Sequence, residues 1–162
     1  MSKRLTQQLG EMLDAYDVVL RADAARKRRL ETEGLAFLAA FAALRAKLVR
    51  PTFEAAGEML RARGHEYAIR EEEFVFEADG KTSEASITLS ITPAGLEKAA
   101  AADTARRELS FSTRHYNKTV SVTNGAVPQS GTMAASGYGL AQIDAQLVED
   151  ELLKLVAAIV RA

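Results

Sequence analysis

From residue 4 to about residue 63 the sequence carries a helical pattern almost without interruption, and within it Leu35 to Leu44 is apolar on every side. A helix that is apolar all round cannot face water, and a single small sheet covers only one of its faces. The segment must be surrounded from several directions, by its own chain or by another molecule. This requirement constrains the fold more than any other feature of the sequence.

The pattern before that segment is different. Leu5, Leu9, Met12, Tyr16 and Val19 follow 4-3-4-3 spacing, and Leu13 and Leu20 widen the stripe. That is an amphipathic helix with a coiled-coil-like face. The same spacing then reaches Asp23 and Arg26, so the seam fails, and residues 21–33 are strongly charged. A two-stranded coiled coil over the whole length is therefore not expected. Gly34 suits the C′ position that ends a helix, yet neither a proline nor a capping residue follows it. Two readings stay open: one continuous helix, or a break near Gly34 that makes a helical hairpin. A continuous helix from 4 to 49 would be roughly 70 Å long and would overhang a domain of this size. Pro51 restricts Arg50 and suits the first turn of a new helix over 52–63, with Phe53, Ala56, Met59 and Leu60 inward and Gly64 as its stop.

After Gly64 the period changes from helix to strand. Tyr67 and Ile69 alternate, as do Phe74 and Phe76 on the opposite parity, so a bulge or tight turn is expected within Glu71–Glu73. Asp79-Gly80 is a hairpin signal. Beyond it Ala85, Ile87, Leu89 and Ile91 alternate with Ser86, Thr88 and Ser90, which predicts an antiparallel sheet with one wet face. Residues 96–105 fit either a short helix or a polar loop. Leu109, Phe111 and Thr113, then Val120 and Val122, read as two strands joined at Tyr116-Asn117-Lys118, with Asn117 able to turn left-handed. Residues 124–139 read as a surface connection. The last helix has Asp144 as N-cap, Ile143 and Val148 as a hydrophobic staple, and a stripe of Leu147, Val148, Leu152, Leu155, Val156, Ile159 and Val160.

The fold class expected is α+β: a long N-terminal helix or helical pair, a short helix, an antiparallel sheet of four to five strands, and a C-terminal helix packed on the sheet. One domain spans 1–162, with 1–49 as a long helical extension and 64–162 as the sheet with its last helix. There is no cysteine, which removes disulfides, thiol chemistry and Cys-ligated zinc. The formal net charge of −1 disfavours a dedicated nucleic-acid or anionic-membrane binder. The opening MSKRLTQQLG lacks the apolar run of a secretory signal, and Leu35–Leu44 is about half of a bilayer span, so the cytoplasm is the expected location.

The chemistry-bearing residues are few. His65 and His115 are the only histidines, and neither is paired in sequence with a nucleophile. Glu71, Glu72 and Glu73 alternate faces on a strand, so all three do not converge on one ion and read as a solvated edge or turn. Gly137-Tyr138-Gly139 lacks the strand and lysine of a phosphate loop. Neither a catalytic constellation nor a metal or cofactor site is expected. The strongest signal is a self-association surface at Leu35, Phe37, Leu38, Phe41, Leu44 and Leu48, in a non-enzymatic interaction or oligomerisation module that pairs as a homodimer or meets another protein. Two alternatives are a small-ligand pocket between the sheet and the last helix, with 129–139 as a lid, and a weak nucleic-acid contact. The contact would use the basic cluster Arg26, Lys27, Arg28 and Arg29, which could instead dock an acidic partner, together with the hairpin tip at Arg114, Tyr116 and Lys118.

Overall fold

The computed structural model of the chain describes residues 2–77, 80–95, 106–126 and 136–161. It is α+β. Helix α1 spans Lys3–Leu44, a π-helical turn follows over Arg45–Val49, and α2 spans Arg50–Ala62. Strand β1 covers Glu66–Glu72, a two-stranded ribbon pairs β2 (Val75–Phe76) with β3 (Thr82–Ser83), and β4 covers Ser86–Thr92. Then come β5 (Glu108–Arg114), β6 (Thr119–Asn124), β7 (Ser136–Tyr138), a 3-10 turn at Leu140–Gln142, and α3 (Ala145–Arg161). The main sheet has five strands in the order β1-β4-β5-β6-β7, all antiparallel.

The chain divides into two compact units, Met1–Ala36 and Phe37–Ala162. The division falls earlier than the helix-to-strand switch near residue 64. Its physical marker is Phe37, the first buried side chain along the chain.

The first unit is helical from Lys3 onward, and Gly34 does not interrupt it. A Cβ at Gly34 would meet open space, so the glycine relieves no crowding there.

In the second unit, α1 passes into α2 without the break expected at Pro51. Arg50 is helical (φ −62°, ψ −47°), and its N–H bonds to the carbonyl of Arg45. A proline inside a helix lacks one donor and crowds the carbonyl four residues back. The π turn places one extra residue in the ring just before Pro51 and loosens the helix there, so the axis continues. Helix α2 then ends as expected. Gly64 takes φ +87°, its N–H bonds to Arg61, and the His65 N–H bonds to Leu60, a Schellman closure.

The sheet's inner face presents Ile87, Leu89 and Ile91 of β4, Leu109 and Phe111 of β5, and Val120 and Val122 of β6, all buried. Helices α2 and α3 pack against this face, and Phe53 of α2 meets the Phe111 ring at 6.0 Å. Phe37, Phe41 and Val49 join the same core, as do Ile143, Val148, Leu152 and Leu155. At Gly57 the backbone of α2 lies against the Tyr67 ring of β1, and an added Cβ would sit 2.4 Å from a ring carbon. The glycine is there for close approach. Asp144 caps α3 by accepting the Leu147 N–H at 2.9 Å, and Ile143 and Val148 are buried as the staple requires.

Several local expectations need correction. No bulge reconciles Tyr67/Ile69 with Phe74/Phe76: β1 ends at Glu72, and Phe76 belongs to the separate ribbon, where it is 74% exposed. Gly80 of the Asp79-Gly80 signal has φ +86°, while Asp79 lies outside the described residues. The left-handed residue of the β5–β6 turn is Lys118 (φ 55°), not Asn117, whose side chain accepts the Thr119 hydroxyl at 2.6 Å. Met59 and Val160 are exposed. Part of the connection 124–139 is strand β7, which pairs with β6. On the outer face Ser86 and Thr88 are buried instead of wet, and the Thr88 hydroxyl meets that of Ser110 at 3.0 Å. Residues 96–105 and most of the 129–139 segment lie outside the described residues.

The core assignment has a direct test. Phe41→Ala should lower unfolding free energy by about 3–5 kcal/mol in urea titrations, and Leu35→Ala by no more than about 0.5 kcal/mol.

Candidate functional site

The set expected to mediate self-association divides between core and surface. Phe37 is 6% exposed and Phe41 0%, and both are covered by the chain's own core; Leu38, Leu44 and Leu48 pack partly against it. Leu35, in contrast, is 68% exposed. The phenylalanines are therefore spent on the intramolecular core and cannot also serve as a contact surface. The exposed apolar side chains lie earlier on α1, at Leu5, Leu9, Met12, Leu13, Tyr16, Val18, Val19, Leu20 and Leu30. Most of these form the 4-3-4-3 stripe already visible in the spacing.

The basic cluster does not form one patch. Arg26, Lys27, Arg28 and Arg29 are consecutive on α1, so their side chains point around its circumference. Arg26 pairs with Asp23 at 3.3 Å, and Arg28 donates to the Ala24 carbonyl at 3.4 Å. At the β5–β6 turn Tyr116 is 72% exposed and Lys118 is exposed, while Arg114 is half-buried and donates to the Ser121 hydroxyl at 3.4 Å.

The histidines sit in separate polar settings. His65 Nδ1 accepts the Ala94 N–H at 2.9 Å. His115 Nδ1 contacts the Glu84 carboxylate, which also accepts the Thr113 hydroxyl at 2.8 Å, and the imidazole packs edge-on to Phe74 at 4.8 Å. Among the described residues no group of three His, Asp or Glu side chains is placed to hold a metal ion. No helix among them is long and apolar enough to cross a membrane.

The densest electrostatic arrangement lies at Glu71–Glu73, which are exposed as expected of an edge or turn, yet two of them meet a buried cation. Glu71 of β1 and Glu73, just beyond the strand, converge on one buried guanidinium, that of Arg45. Arg45 Nη2 pairs with Glu73, Nε lies 3.7 Å from Glu71, and Nη1 donates to the carbonyls of Glu72 (3.1 Å) and Ser86 (3.2 Å). The guanidinium also lies 5.8 Å from the Phe41 ring centre. Glu71 extends the set to Arg50 at 3.3 Å, which also holds Glu54 at 2.8 Å. The available signal was the spacing Phe37, Phe41, Arg45, Val49: a charge continuing a buried helical stripe must find partners. A second buried polar link was also missed. Asn124 donates to the Glu151 carboxylate at 2.8 Å and to its backbone carbonyl at 2.9 Å, joining β6 to α3. Both arrangements join elements of the fold to one another.

An open groove runs beside β1, lined by Arg50, Glu54, Glu58 and Arg61 of α2 and by Tyr67, Ala68 and Ile69 of β1. Tyr67 donates its hydroxyl to Glu58 at 2.6 Å, and Arg61 lies 4.7 Å from the ring centre. The hydrogen bond to the Glu58 carboxylate, with a smaller desolvation effect, holds the Tyr67 phenol above its usual pKa of 10.0. One crevice beside α3, at Leu60, His65, Ile91, Val156, Ile159 and Val160, is about 10 Å³, no more than one water. No protein family, curated protein or solved structure matches the chain.

Two tests follow from these contacts. Arg45→Ala removes the donor of two backbone carbonyls and leaves Glu71 to Arg50 alone, and should cost about 2–4 kcal/mol by urea unfolding, whereas Glu73→Gln, at an exposed carboxylate, should cost under about 0.5 kcal/mol. Glu58→Gln should lower the Tyr67 titration toward the ordinary phenol value, read by absorbance of the phenolate. Because the folded pKa is raised, the stabilisation from this contact is complete below the unfolded pKa and disappears as pH rises through the folded one.

Proposed function

We propose that this protein is a non-enzymatic oligomerisation module of the cytoplasm, and that its contact element is the apolar stripe of α1 pairing with the same stripe of a second copy. The observation that carries this reading is the exposure of Leu5, Leu9, Met12, Leu13, Tyr16, Val19 and Leu20 along one helix. In globular proteins most helical stability comes from packing an amphipathic face. A stripe of this size left in water is a recognition surface or a liability.

A second copy fits because the stripe repeats every three and four residues, the spacing that lets one helix interlock with another of the same pattern. Ala15 and Ala22 flank the seam and allow close approach. The polar face of the same segment carries Glu11, Asp14 and Asp17, which disfavours an anionic lipid surface as the occupant. The contact thus moves N-terminal to the Phe37/Phe41 segment, into the part of α1 that the core leaves uncovered.

Sedimentation equilibrium at tens of micromolar tests the proposal. Met12→Lys combined with Val19→Lys should reduce the mass by half or more and lower the helical circular dichroism signal without unfolding the sheet. An unchanged mass in that variant overturns it.

A further inference from the structure

The free edge of β1 offers a second, independent contact. Strand β1 pairs only with β4 and lies at the end of the sheet; among the described residues no strand covers its other side. It is seven residues long, whereas the opposite edge strand, β7, has three. A long uncovered edge presents a row of backbone donors and acceptors that another strand can pair with, and charged side chains usually guard it.

The charges on β1 are of both signs, and their order matters. Pairing with β4 places Tyr67, Ile69 and Glu71 on the inner face and Glu66, Ala68, Arg70 and Glu72 on the outer face. In an antiparallel pair of two β1 strands about a twofold axis through Ala68, Glu66 of each copy faces Arg70 of the other. Tyr67 faces Ile69, and the small, exposed Ala68 faces itself. Facing residues on one side of an antiparallel pair interact directly, and opposite charges and aromatic–aliphatic pairs stabilise it. Neighbouring registers lack this match. An axis at Ile69 sets Glu66 against Glu72 and one at Arg70 sets Arg70 against itself; one at Glu71 opposes Arg70 and Glu72 but sets Glu71 against itself and overlaps only the last three residues of the strand. An axis at Tyr67 opposes no charges at all.

We propose that β1 pairs antiparallel with β1 of a second copy about Ala68, joining two sheets edge to edge. The interface is isologous. A seven-residue strand pair alone is a small contact, and the groove beside it adds to it: Arg50, Glu54, Glu58 and Arg61 line the same edge with both signs of charge. This contact uses none of the α1 stripe.

The test is a charge exchange in the full chain carrying Met12→Lys and Val19→Lys, so that only the edge contact is read. Among the described residues Glu66 has no ion pair and Arg70 has only an exposed contact to Glu72 at 3.6 Å, so both positions tolerate reversal. The background protein should sediment as a dimer. Glu66→Arg alone and Arg70→Glu alone should each sediment as a protomer, because each opposes like charges twice. The double exchange should restore the dimer, and so should an equimolar mixture of the two single variants, since each then complements the other. A background protein already monomeric at tens of micromolar, single variants that stay dimeric, or a mixture that stays monomeric each overturn the pairing; the first leaves the edge to an extended segment of a different protein. The outcome at the helix is read separately, from the mass change that the two lysine substitutions themselves cause.

Discussion

The second unit is organised around one desolvated guanidinium. Arg45 stands where the first helix has turned into the core, and it reaches the last residues of β1, the residue just beyond them, and the first residue of β4. A cation this buried is tolerable only if its donors are satisfied. Here two carbonyls and two carboxylates do so. The π turn that begins at Arg45 also carries the helix past Pro51, so the point that bears the charge and the point where helical hydrogen bonding changes register are the same. The helix can neither rotate nor slide relative to β1 without uncovering that charge.

Most of the elements were readable because they are periodic. The alternation of Ile87, Leu89 and Ile91, of Leu109 and Phe111, and of Val120 and Val122 fixes the inner face of the sheet. The Asp144 cap and its staple mark the start of α3 in a way independent of any tertiary contact. Gly64 ends α2 with the left-handed turn its neighbours require. What was not readable depends on contacts that periodicity does not encode. Phe76 alternates with Phe74 yet serves a ribbon outside the sheet, because the strand before it stops at Glu72. Lys118 turns left-handed in place of Asn117, since the asparagine side chain is engaged by Thr119.

The candidate site was legible in a different proportion. The stripe from Leu5 to Leu20 was visible as spacing, but its weight was assigned to Leu35–Leu44 because apolar density is louder than periodicity. The structure shows why density misleads: Phe37 and Phe41 are buried members of the core cluster, whereas Leu5 to Leu20 are amphipathic and remain exposed. Arg45 ends the apolar run by its chemistry, although by position it continues the run one turn further. The edge of β1 could not be identified at all before strand order was known, because no local pattern says which strand of a meander lies outermost.

The seating of Tyr67 on Gly57 ties together two positions ten residues apart that belong to different elements. Any side chain at 57 displaces the ring, and any loss of the ring leaves the glycine with a conformational cost and no contact in return. Evolutionary drift at the two positions should therefore be coupled: in homologous chains a glycine at 57 should accompany an aromatic residue at 67, and a bulkier residue at 57 should accompany a smaller one at 67.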